Sequence, residues 1–173
     1  MHRAPGNSPL KGHNNVQTDS LTDAQLRDQI CRAFGLERDS METVSAQAFD
    51  LLPGRDLIVW EGDAQTFQFS FVSDSARTIL GYPLERWTTE PTFWADTVVH
   101  PEDRSDAIAF CALATGRCRD HDFVYRAIAA DGRTVILHDV VKVIIGAKGV
   151  ASTPRGIMLD VTDEQNEFAT GAG

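Results

Sequence analysis

At 173 residues with 42% hydrophobic content, the chain has the length of one domain plus flanks and enough apolar material for a core. Its 25 acidic residues outnumber 16 basic ones, giving a formal charge of −9 with no basic stripe, which argues against a nucleic-acid surface. No apolar run reaches the length of a membrane span, and no N-terminal apolar segment suits a secretory signal, so a cytoplasmic protein with no membrane partner is expected.

Residues 1–19 combine Pro5, Gly6, Pro9 and Gly12 with no apolar period, and read as a disordered tail. A helical cap over 20–54 follows. Thr22 to Gln25 form a capping-box pattern, and Leu26, Ile30 and Phe34 recur at spacing four as one helical stripe. Ser40 caps a second helix in which Met41, Val44, Ala48 and Leu51 or Leu52 share a face; Pro53-Gly54 stops it. Cys31, Cys111 and Cys118 are odd in number and lack a CxxC pair, so free thiols are expected rather than disulfides or zinc.

Two strands are predicted at Leu57–Glu61 and Thr66–Val72, the second from the alternation Phe67, Phe69, Phe71. Ser73 or Asp74 caps a short helix ending before Gly81, and a loop-rich stretch runs to about residue 100. Pro101 suits the first turn of a longer helix, with Glu102 and Asp103 at its positive end and Gly116 at its stop. Strands follow at 119–129, 133–146 and 154–161, the first two joined by Asp131-Gly132. A terminal helix starts after Asp160 or Thr162. This order gives an α+β fold: a five-stranded antiparallel sheet with helices on one face.

The strand from 133 is apolar on both faces. One face carries Val135, Leu137, Val141, Val143 and Ile145, the other Ile136, Val140 and Ile144. A sheet with one wet face alternates cleanly, so both faces are expected to be covered. The central helices cover one, and the N-terminal helices or a second subunit cover the other.

One ordered set of local signals spans this region: Phe71-Val72-Ser73, Gly81-Tyr82-Pro83, Trp94, His100-Pro101-Glu102-Asp103, Tyr125-Arg126, Asp131-Gly132 and Asp160-Val161-Thr162. The series resembles a PAS domain over about 110 residues, roughly 55–164, leaving 165–173 as a short C-terminal tail. The resemblance implies a sensory or interaction module without naming a ligand. It also implies a signal exit at Asp160 and Thr162, where the last strand of relatives passes into an outgoing helix. Only eleven residues follow Thr162, too few for a long coupling coiled coil. Many relatives carry Trp at the place of Ile136, which removes the warrant for transferring their ligands.

Flavin-adduct relatives place a reactive cysteine between the Gly-Tyr turn and the long helix. Here Thr92 to Val99 contain none. For haem, His100 belongs to a junction found in non-haem relatives, and the helix after it has no histidine. Both flavin adduct and haem are therefore set aside, and the cofactor stays unknown. His100, His121 and His138 have no metal-site spacing, and His121 reads as a solvated strand start. No nucleophile elbow, phosphate loop or kinase motif occurs, so no enzyme is expected in this chain. What remains is a cavity between long helix and sheet, which the resemblance keeps open to a small apolar ligand. Its expected lining is Phe69, Phe71, Ile79, Trp94, Ile108, Phe123 and Tyr125; the alternative is a filled core. The expected function is a homodimeric sensor converting ligand occupancy or partner contact into an altered contact with a signalling protein, as in a two-component (histidine kinase) pathway. The alternative is a constitutive dimerisation adaptor with no ligand.

Overall fold

The computed structural model describes residue 25 and residues 40–171. The expected tail, the stripe Leu26, Ile30 and Phe34, and Cys31 lie outside them.

Helix α1 (Met41–Leu51) starts at Ser40, whose hydroxyl accepts from the Thr43 N–H at 3.3 Å. Val44 and Ala48, four apart, are its buried stripe, and Leu52 rather than Leu51 continues it. The sheet comprises β1 (Leu57–Gly62), β2 (Phe69–Val72), β3 (His121–Ile128), β4 (Thr134–Ile145) and β5 (Ala151–Asp160). Its spatial order is β2-β1-β5-β4-β3, with every neighbouring pair antiparallel. Gly132, at φ 89°, closes the β3–β4 hairpin in a conformation that side chains disfavour.

Between β2 and β3 run α2 (Ser75–Leu80), α3 (Leu84–Thr89), a single π-helical turn (Trp94–Val98) and α4 (Pro101–Gly116). The stretch expected as loop is thus partly helical. Its apolar residues Trp87, Phe93, Trp94 and Val98 are all buried, and that burial orders it. At the start of α4, Pro101 fills the first turn and His100 Nδ1 accepts from the Glu102 N–H at 3.2 Å. Asp103 in that turn binds Arg126 of β3, and this partner holds its carboxyl down at about 2. Ser73 does not cap α2. Its hydroxyl accepts from the Val59 N–H at 2.9 Å and ties that helix to β1.

The central strands are covered on both faces, as the two-sided pattern of β4 demands. On the helix side, Ile58, Trp60, Leu137, Val141 and Met158 pack with Phe69, Trp87 and Tyr125. On the other side, Val140, Ile157 and Leu159 pack under Val44, Ala48 and Leu52 of α1. Each large aliphatic side chain buried there contributes on the order of 1.5–3 kcal/mol. The last helix, α5 (Thr162–Thr170), buries none of its residues.

Strand β2 is shorter than the phenylalanine alternation predicts. Asp63 Oδ1 accepts from the backbone of Gln65 and Thr66, and Phe67 turns to φ 57°, which removes it from the strand. A bulge follows. Glu61 pairs with Phe71 but the next residue, Gly62, pairs with Phe69, leaving Ser70 as the extra residue.

Gly156 sits opposite Trp60 in the β1–β5 ladder. A Cβ there would lie 2.6 Å from the Val140 carbonyl oxygen and 2.7 Å from the Trp60 ring. Gly156→Ala should therefore destabilise the domain by about 1–3 kcal/mol, as an overpacked core does. Equilibrium urea unfolding checks this, and an unchanged midpoint would contradict the indole's placement against β5.

Candidate functional site: a buried carboxylate beneath the long helix

In β4 the residues at 135, 137, 141 and 143 point to the helix-side core, and position 139 shares their parity. Asp139 is only 2% exposed. A carboxyl group at such a place needs hydrogen-bond donors. Trp60 Nε1 of β1 donates to Oδ1 at 2.9 Å, and the Tyr125 hydroxyl of β3 donates to Oδ2 over a longer 3.4 Å. Trp94 Nε1, from the π-helical turn, donates in turn to the Tyr125 oxygen at 2.9 Å. Three aromatic residues from three elements thus form a donor chain ending on one carboxyl group.

Burial dominates the electrostatics. It lifts the Asp139 carboxyl to about 7, against the opposing pull of the Trp60 and Tyr125 hydrogen bonds. Burial, with Asp139 nearby, also raises the Tyr125 phenol well above its usual value. Cys111 of α4 is pushed up to about 12, by burial first and by Asp139 second. Its thiol is protonated at neutral pH and is no nucleophile.

These groups surround a cavity of about 20 Å³, lined chiefly by Trp60, Phe69, Trp94, Cys111, Asp139 and Pro154. That is room for one water-sized molecule. Of the seven residues expected to line a cavity, Phe69 and Trp94 do so. Tyr125 stands one hydrogen bond behind the wall, and Phe123 stacks on it with centroids 5.2 Å apart. Ile79 is buried in the same core without reaching the cavity. Ile108 is turned out, 36% exposed on α4. Phe71 faces the opposite side of the sheet with Val44 and Ala48 of α1, because the bulge at Ser70 reverses its parity relative to Phe69. Ile136 also belongs to that opposite face, so its departure from the Trp of many relatives does not touch the cavity.

Asp139 and Trp60 are the residues that sequence reading missed. A signal existed: position 139 falls on the apolar face of β4, where an acid with no reason to be there stands out.

None of the three described histidines lines the cavity. His100 caps α4. His138 Nε2 lies 2.9 Å from Asp122 Oδ2 and shares the parity of Ile136 and Val140, on the α1 side of the sheet. His121 is buried rather than solvated, packed edge-on to Phe110 at 5.7 Å, and burial lowers its pKa. Among the described residues, no cluster of three or more His, Cys, Asp or Glu could hold a metal ion. No described helix is long and apolar enough to cross a membrane.

The exit residues form a junction of their own. Asp160 Oδ1 accepts from the Thr162 N–H at 3.0 Å and from the Thr162 hydroxyl, whose oxygen accepts from the Ile136 N–H at 3.0 Å. The Ile136 carbonyl accepts from the Val161 N–H at 2.9 Å. Both backbone groups of one β4 residue therefore hold the start of α5.

The family described as PAS fold matches residues 69–157. The chain belongs to it. Among solved structures, it is similar to the N-terminal domain of a diguanylate cyclase with PAS/PAC sensor from Marinobacter aquaeolei. That match has 31% identity, 63% coverage of this chain, 98% of that one and a TM-score of 0.59. A sensory box histidine kinase/response regulator from Burkholderia thailandensis E264 shares the fold at 19% identity, with coverages of 73% and 90% and a TM-score of 0.57. The light-state structure of the blue-light photoreceptor Aureochrome1 LOV does so at 17% identity, with coverages of 72% and 95% and a TM-score of 0.55. No curated protein matches the chain.

The buried carboxyl makes a pH prediction. Its folded pKa, about 7, lies above the ordinary value of 3.8. Its contribution to stability is therefore fully present below about pH 4 and is lost progressively as pH rises to about 7. Asp139→Asn retains an oxygen for the Trp60 N–H and removes this titration. The variant should gain stability relative to the native chain between pH 4 and 7. Parallel stability curves for the two proteins across that window would contradict the assignment.

Proposed function

We propose that this PAS domain is a sensor in which the state of the Asp139 cavity, or contact with a partner, alters a protein–protein contact made through α5. The observation that carries the reading is the placement of both ends on β4. Asp139 lines the cavity, and three residues earlier Ile136 gives its N–H to Thr162 and its carbonyl to Val161. A shift of β4 at Asp139 would bear directly on the bonds that seat α5. On that helix Phe168 is 78% exposed and offers an apolar contact. Such coupling requires two states whose balance the occupant biases.

The setting we infer is a cytoplasmic signalling pathway of the two-component kind or a relative of it. The domain would act as a homodimer, with any kinase or cyclase activity carried outside this region. The likeness to the sensor domain of the Marinobacter cyclase supports this placement. A second reading, a constitutive dimerisation adaptor without a ligand, is favoured by the smallness of the cavity, about 20 Å³.

A native mass spectrum of the protein purified from its own host separates the two: retained extra mass supports the sensor, and bare protein supports the adaptor. For the exit, Asp160→Ala should lower stability by about 0.5–2 kcal/mol, as for a lost cap. It should also abolish any difference in hydrogen exchange over residues 160–170 between the occupied and emptied protein. Identical exchange in all four samples would leave the junction a plain structural tie.

A further inference from the structure

We propose that the seam between α4 and β3 is the interface between two copies of this chain, which pack α4 against α4 antiparallel about a two-fold axis. The proposal rests on the homodimer of the sensor reading and assigns it a surface; it does not depend on what the cavity senses.

Three observations carry it. The first is spacing. Asp103, Asp106, Phe110, Leu113 and Arg117 recur along α4 at alternating intervals of three and four, the period with which one helix presents a stripe to another. This is not the stripe the fold uses, since α4 buries Ala107, Cys111 and Thr115. Phe110 is 44% exposed and Leu113 55%. Two large apolar side chains one turn apart at the centre of such a stripe mark a contact surface.

The second is shape. Two recesses open along the seam, one on either side of Phe110, of about 320 and 300 Å³. On α4 the first is bordered by Phe110, Leu113, Ala114 and Arg117. The second is bordered by Asp103, Asp106, Ala107 and Phe110. Each set holds positions i, i+3, i+4 and i+7, the four-residue hole that receives a knob from a facing helix. β3 walls the other side, with His121 in the first recess and Phe123 in the second.

The third is charge. Asp103 is held by Arg126, and Asp120 by Lys142. Among the described residues, Asp106 has no salt-bridge partner, and neither have Arg117 and Arg119. The seam therefore ends in an unpaired acid on one side and unpaired bases on the other. A two-fold axis sets opposite ends of the same surface against each other. In one antiparallel register Asp106 lies opposite the partner's Arg117 while Phe110 lies opposite the partner's Leu113. The apolar knobs then enter the holes, and the charge pairs close the rim. A parallel copy would set acid against acid and base against base. A uniformly acidic or basic partner would suit one end and be repelled at the other.

The test is analytical ultracentrifugation of the whole chain and its variants, with far-ultraviolet circular dichroism to show that each is folded. The native chain should be a dimer and Phe110→Glu a monomer. Asp106→Arg and Arg117→Asp each oppose like charges twice in the dimer, and each should raise its dissociation constant by about tenfold. The double variant should restore the dimer, and so should an equimolar mixture of the two single variants. Restoration is decisive, because mixing cannot repair a folding defect and only the proposed register pairs these two positions. A monomeric native chain would overturn the proposal and leave the seam to a different protein. A dimer indifferent to both charge reversals would overturn it and place the contact elsewhere. Weakening by both reversals without restoration would overturn the antiparallel register. Hydrogen exchange over residues 160–170 keeps this proposal distinct from the sensor reading. A dimer that obeys the charge exchange but shows no occupant-dependent exchange keeps the interface and removes the sensing. Occupant-dependent exchange in a monomeric chain does the reverse.

Discussion

The structure depends on a strand that cannot tolerate water on either side. β4 carries Leu137, Val141 and Val143 toward one face and Val140 toward the other, all of them buried. Two separate layers must therefore close on the sheet. The run from α2 to α4 closes one, and α1 closes the other. α1, which lies outside the matched family region of 69–157, completes the hydrophobic burial of the domain. Removing it would leave Val140, Ile157 and Leu159 facing solvent.

Within that enclosure Asp139 is the exception, and its neighbours are arranged around it. Gly156 lets the Trp60 indole lie against β5, the indole donates to the carboxyl group, and Tyr125 and Trp94 extend the chain of donors. The arrangement draws on β1, β3, β4, β5 and the π-helical turn. A polar network of this kind ties elements to one another more specifically than apolar packing does. It also places the most strongly perturbed carboxyl group of the described chain one short strand segment from the seat of α5.

The fold was legible because its signals are local and repeated. Five strands, the Asp131-Gly132 hairpin, the Pro101 helix start and the stripe of α1 each follow from periodicity or turn chemistry within a few residues. The site was less so. Phe69 and Phe71 have the same parity in the sequence, yet a single extra residue in the ladder sends them to opposite faces. Ile108 stands on the long helix expected to roof the cavity but looks outward, since Ala107 and Cys111 form the buried stripe of that helix. Asp139 reads as a lapse in an apolar strand until its partner Trp60, 79 residues earlier, is known. Long-range pairing of that kind leaves no trace in local spacing.

The bulge that separates Phe69 from Phe71 has a consequence for the outer boundary of the sheet. β2 is a terminal strand, and the unpaired backbone of a terminal strand is a template on which other chains can add. Four residues with an irregular register, entered through the positive φ of Phe67, offer a poor template. At the opposite boundary, the Arg126 N–H of β3 is taken by Asp103 of α4, and its carbonyl by the His100 N–H. One margin is shortened and twisted and the other is partly occupied. Both sheet margins thus discourage indiscriminate strand-to-strand assembly.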